Sequence, residues 1–155
     1  MRITWGATIL ALAVAAAGAG RSMTAVEAAG QAAPGGAAVT VEQFPGLMKT
    51  ISSTQGSLRA KMKENQLADA AKDAQIIATA FGDVEKFFAA RSKSDAVAWA
   101  KQGRENATAT ATALAANDAA KATAELGNMA GTCKQCHAAY REGMPGSYKF
   151  KEGSI

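Results

Sequence analysis

Residues 67–91 read LADAAKDAQIIATAFGDVEKFFAAR. Leu67, Ala70, Ala74, Ile77, Phe81, Val84 and Phe88 recur at steps of three and four, which puts them on one stripe of an α-helix. A stripe this regular is the seam of a bundle helix, and it needs partners. Three further segments supply them. The first spans about Gln43 to Lys63, with Phe44, Leu47, Met48, Ile51, Leu58 and Met62 on one face and Pro45 in the first turn, where a missing N–H costs nothing. The third opens at Ser94, read as an N-cap ahead of Asp95, and reaches about Ala116 through Val97, Ala100, Ala107, Ala111 and Leu114. Its run ATATAT (107–112) makes it the weakest helix of the four, because threonine loses rotamer freedom in a helix. The last begins near Asn117-Asp118 and continues to about Glu142, where Gly143 and Pro145 stop it. Connections of a few residues make neighbours antiparallel. The expected fold is all-α, an up-down-up-down four-helix bundle over residues 41–143, followed by an irregular tail at 144–155.

Composition agrees. Of 155 residues, 48% are hydrophobic but only 6% aromatic, and much of the apolar count is alanine. Alanine buries little and is the best helix former, so thinly cored, closely packed helices are favoured over large sheets. The net charge of +4 comes from 17 basic and 13 acidic residues that are dispersed along the chain, so no nucleic-acid interface is expected. One histidine and two cysteines exclude a four-ligand Cys/His zinc site within one chain.

The first 29 residues look like an export signal. After Arg2, the stretch from Ala7 to Ala17 is apolar apart from Thr8, and the small residues of Ala17-Gly18-Ala19 or Val26-Glu27-Ala28 offer cleavage sites. The run is shorter than the roughly 20 residues a bilayer span needs, although an uncleaved anchor stays open as the alternative. Residues 30–40, GQAAPGGAAVT, form a flexible lead-in. The expected mature form lies in the periplasm without a membrane span.

One motif carries chemistry. Residues 133–137 read Cys-Lys-Gln-Cys-His, the C-x-x-C-H signature of covalent c-type haem attachment. At 100° per residue, Cys136 lies about 60° to one side of Cys133 and His137 about 40° to the other. Both thiols and the imidazole then share one arc, as two thioether bonds and one nitrogen on iron require. Leu126, Met129 and Tyr140 extend that face toward the macrocycle. Other readings exist. A redox-active C-x-x-C belongs with a thioredoxin-like βαβ pattern, which this sequence lacks, and a disulfide between Cys133 and Cys136 would close a very tight loop in mid-helix. A metal site shared between two chains is conceivable, but nothing in the sequence points to it.

An exported four-helix chain whose C-x-x-C-H motif lies near the end of the last helix resembles the class II c-type cytochromes, cytochrome c′ and its low-spin relatives. The resemblance covers roughly residues 41–143 and rests on the motif, its placement and the Leu47-Met48-Lys49 segment. It implies one covalently attached haem c, His137 as proximal iron ligand and a nearby basic residue at Arg141. It also leaves open a homodimer. The family often carries an arginine one turn before the distal position; here that residue is Phe44, which removes a polar distal group and a propionate partner.

Only 18 residues follow His137, so Met144 is too close to reach the opposite haem face. With no second histidine, methionine is the remaining strong distal ligand. In an antiparallel pairing of the first and fourth helices, Met48 is level with His137, whereas Met62 lies about 21 Å further along. Met1 and Met23 fall in the signal region and Met129 on the proximal helix. Met48 therefore faces the iron, either as a ligand or as a packing residue, with Phe44, Leu47, Ile51, Met129, Tyr140 and Arg141 as pocket candidates.

The two outcomes imply different functions. A Met/His iron suits a periplasmic electron carrier, not an enzyme, exchanging single electrons with a redox partner protein. A five-coordinate iron in an apolar pocket suits a protein that binds nitric oxide or carbon monoxide. Phe87, Phe88 and Trp99 read as core, with Trp99 alternatively shielding a haem edge, and Lys49, Lys61, Lys63, Lys72 and Lys86 read as solvated faces that could steer an acidic partner.

Overall fold

The computed structural model describes residues 39–155, so the signal at 1–29 and most of the lead-in lie outside the described residues. Four helices follow one another: α1 (Phe44–Lys63), α2 (Leu67–Ala89), α3 (Ser94–Ala115) and α4 (Ala119–Tyr140). Each packs on the next in sequence, α1 on α2, α2 on α3 and α3 on α4. The architecture is an all-α bundle. Among the described residues, no helix is long and apolar enough to cross a membrane.

The helix starts and stops have local causes. Thr40 and Gln43 exchange side-chain and backbone bonds, Thr40 N–H to Gln43 Oε1 at 3.0 Å and Gln43 N–H to Thr40 Oγ1 at 3.3 Å. This is the reciprocal pairing of a capping box, and it satisfies two donors ahead of Pro45. Asp118 caps α4 by accepting from the Lys121 N–H at 2.9 Å. Ser94 does not cap α3. Its first intrahelical bond runs from Val97 N–H to the carbonyl of Lys93, so Lys93 is the N-cap and Ser94 already lies inside the helix.

The three joints between helices share one design. Asn65, Ser92 and Asn117 adopt positive φ of 58°, 55° and 57°. The next residue then reaches back five positions: Gln66 N–H to Lys61 O, Lys93 N–H to Phe88 O, and Asp118 N–H to Ala113 O. These are Schellman closures, which satisfy helix-end carbonyls and turn the chain within three or four residues.

The core follows the stripe read in α2. Ala70, Ala74, Ile77, Phe81, Val84 and Phe88 are all buried, and Leu67 is half-buried at the helix start. Against them α3 sets Ala100, Ala107, Ala111 and Leu114, and α4 sets Ala122, Leu126 and Met129. The ATATAT run stays helical throughout, with the hydroxyls of Thr108, Thr110 and Thr112 bonded back to the carbonyls four residues earlier. Two interhelical ion pairs fix the registers. Lys61 on α1 meets both oxygens of the buried Asp73 at 2.9 and 2.8 Å, and Arg104 on α3 meets Glu85 on α2.

Small residues let α2 and α3 approach closely. A Cβ on Gly103 would lie 2.6 Å from the Phe81 ring. Replacing Gly103 with Ala gains about 1 kcal/mol of helix propensity and adds an overpacking cost of about 1–3 kcal/mol. The expected result is a net loss near 1 kcal/mol, about 4 °C in Tm by thermal melt. A rise in Tm would show that Phe81 moves aside freely.

The C-terminus departs from the expectation of an irregular tail, and α4 ends at Tyr140, short of Glu142. Arg141–Glu142 (β1) and Lys149–Phe150 (β2) pair antiparallel, with Arg141 opposite Phe150 and Glu142 opposite Lys149. The strand pairing draws Arg141 into extended backbone and so ends the helix. Lys151 then serves the helix end, its N–H on Tyr140 O at 2.9 Å and its Nζ on Ala138 O at 2.6 Å. Gly143, at φ 97°, is required by the turn: a Cβ there would sit 2.6 Å from Ser147 O.

Candidate cofactor site

The hairpin carries Phe150 onto an aromatic cluster. Its ring lies 4.9 Å from Phe44, 5.6 Å from Phe87 and 6.2 Å from Phe88, while Phe88 is 5.0 Å from Tyr140. The Arg91 guanidinium covers Phe87 at 3.7 Å. Phe44, Phe88, Tyr140 and Phe150 of this cluster wall a cavity of about 620 Å³, within the size range of small-molecule and cofactor sites.

All four helices and the hairpin contribute to it. Cys133, Cys136, His137 and Tyr140 come from α4, Phe44, Met48 and Ile51 from α1, Phe81, Val84 and Phe88 from α2, and Trp99 from α3. The motif residues and Met48 thus line one space. Arg141 lines it too. Leu47 and Met129 do not, and the helix explains both. On α1 the lining residues run from Ile51 through Phe44 and Met48 to Ser52, Pro45 and Lys49, an arc of about 160°, and Leu47 falls about 40° beyond Ile51 on the far side. Met129 is on the right face of α4 but one turn beyond Cys133, where it is fully buried in the core. Phe88 and Trp99, read as core, also line the cavity, and Phe150 was not legible as a site residue. Trp99 reads as core because the register of its weakly amphipathic helix is ambiguous, and Phe150 sits with Tyr148 in a short tail that has no period to place either ring.

The electrostatics suit the motif's chemistry. Burial pushes both thiols up, Cys136 to about 11, with Cys133 and Asp95 adding to the latter. They are therefore protonated at neutral pH and unlike the low-pKa cysteines of thiol redox sites. The two are free and half-buried. Burial, and then the Arg141 charge, hold His137 below its ordinary value, which favours the neutral imidazole that ligates metals. Beside it, Tyr140 donates to Asp95 Oδ1 at 2.6 Å and ties the end of α4 to the start of α3. Burial and that bond push Tyr140 to about 12.

Among the described residues no group of three or more His, Cys, Asp or Glu side chains converges to hold a bare metal ion. Two thiols, one imidazole and one thioether set around an aromatic-walled cavity fit a flat apolar macrocycle carrying its own metal, attached along one edge. Comparison with protein-family models, curated proteins and solved structures finds no match to this chain.

Proposed function

We propose that the chain is a monohaem c-type cytochrome of the class II kind, exported to the periplasm, that passes single electrons to and from a partner protein. The observation that carries this reading is that Cys133, Cys136, His137 and Met48 line one apolar cavity. Cys133 and Cys136 would hold the haem by thioether bonds, and His137 and Met48 would ligate its iron. When bound, the haem supplies a one-electron Fe(III)/Fe(II) couple, raised in potential by Met/His ligation.

The chain's own residues do the rest. Phe44, Phe88 and Phe150 exclude water, and the Tyr140–Asp95 bond fixes the turn that bears His137. The cavity draws on the start of α1, the end of α2, the start of α3 and the end of α4. That alternation is what an up-down-up-down bundle requires, with the haem near the C-terminal end of α4.

Mass spectrometry of protein made in an export-competent host tests the attachment. One haem should add to the chain, and Cys133→Ala with Cys136→Ala should abolish covalent haem completely. A wild-type chain secreted without haem and with both thiols unmodified overturns the reading. The half-buried state of Met48 and the apolar wall around it favour a second reading, a five-coordinate protein that binds nitric oxide or carbon monoxide.

A further inference from the structure

The charged residues that line the cavity are all cationic: Lys49 on α1 and Arg141 and Lys149 on the hairpin, with no Asp or Glu among the lining residues. An apolar space with a positive rim suits a ligand that is apolar in body and anionic at one edge. A porphyrin with two propionates is such a ligand. Arg141 is engaged elsewhere, its guanidinium 4.0 Å over the Tyr148 ring. Lys49 has no acidic partner among the described residues. Lys149 meets Glu142 at 3.1 Å, but both side chains are exposed, and an exposed pair of this kind holds its ammonium weakly.

Resting on the haem reading, we infer that Lys49 and Lys149 together seat the propionate carboxylates of the cofactor. Geometry brings the two elements together at this point. Phe150, next to Lys149, packs at 4.9 Å against Phe44 in the first turn of α1, the helix that bears Lys49. Successive strand residues point to opposite faces, so Lys149 does not follow Phe150 onto the aromatic cluster; it lines the cavity as an exposed residue, as Lys49 does from α1. Charge-assisted bonds from ammonium to carboxylate are about twice as strong as neutral ones, and two from different elements fix the cofactor's outer edge.

The test uses the loaded protein and the variants Lys49→Gln, Lys149→Gln and the double, with Lys121→Gln as a control away from the cavity. Loss of each cavity lysine leaves propionate charge uncompensated and favours the ferric state. At a fixed electrode potential the reduced-to-oxidised ratio should fall about threefold per lysine and about tenfold in the double variant, equivalent to 59 mV. The control should move by less than 1.5-fold. Carbodiimide, which joins an amine to a contacting carboxylate with loss of water, should link a peptide bearing Lys49 or Lys149 to the porphyrin. A double variant that matches the control, or a cross-link only between Lys149 and Glu142, overturns the inference. Mass spectrometry separates this from failure of the haem reading, because there the wild type itself carries no haem.

Discussion

Phe88→Ala should cost about 3–5 kcal/mol of stability, the range for truncating a buried aromatic in a core that cannot fully collapse. Phe88 is fully buried and touches four other rings, those of Phe44, Phe87, Tyr140 and Phe150, at centroid distances of 5.6, 5.1, 5.0 and 6.2 Å. Two facts make collapse difficult. Its neighbours come from α1, α2, α4 and the hairpin, so no single shift fills the gap, and one side of the ring already faces the cavity. Domains of this size have only about 5–15 kcal/mol in total, so the variant stands near the edge of folding at 25 °C. Urea unfolding at 10 °C measures the loss. Phe88→Leu, which keeps most of the volume, should recover all but about 1.5 kcal/mol. A loss under 1 kcal/mol for the alanine variant would show that the cluster is not a structural centre.

Met48→Ala carries the largest functional effect. Under the proposed Met/His ligation, the oxidised wild type is low-spin and its reduced form resists carbon monoxide. The alanine variant should keep its covalent haem, become high-spin by paramagnetic resonance and bind carbon monoxide readily when reduced. Its reduction potential should also fall, since methionine ligation raises it. The apolar wall decides this outcome. Phe44, Ile51 and Val84 offer no replacement donor, so the vacated position stays open to a small neutral gas. A wild type that is already high-spin and gas-binding would show that Met48 only packs and would favour the second reading.

How much of this was readable in the chain differs by element. The stripe from Leu67 to Phe88 gave α2 to within two residues, because its apolar steps never lapse. The other helix ends also fall within about two residues, though on weaker signals. Asn65, Ser92 and Asn117 sit at left-handed positions where glycine would have announced a stop, and asparagine and serine are weaker signals. The hairpin left almost no trace. Two strands of two residues have no period to detect, and Phe150 matters only through rings on α1 and α2 far away in sequence. Of the pocket candidates, Phe44, Ile51, Tyr140 and Arg141 line the cavity with Met48, Cys133, Cys136 and His137. Leu47 missed by helix phase and Met129 by axial height, two coordinates that periodicity alone does not separate.

The contact between Gly103 and the Phe81 ring has a mechanical consequence. Phe81 is buried and also forms part of the cavity wall, so any side chain added to α3 at position 103 must displace a ring that the cavity's shape depends on. Mutational tolerance there should be low although the residue is the smallest available, the reverse of what residue size alone suggests.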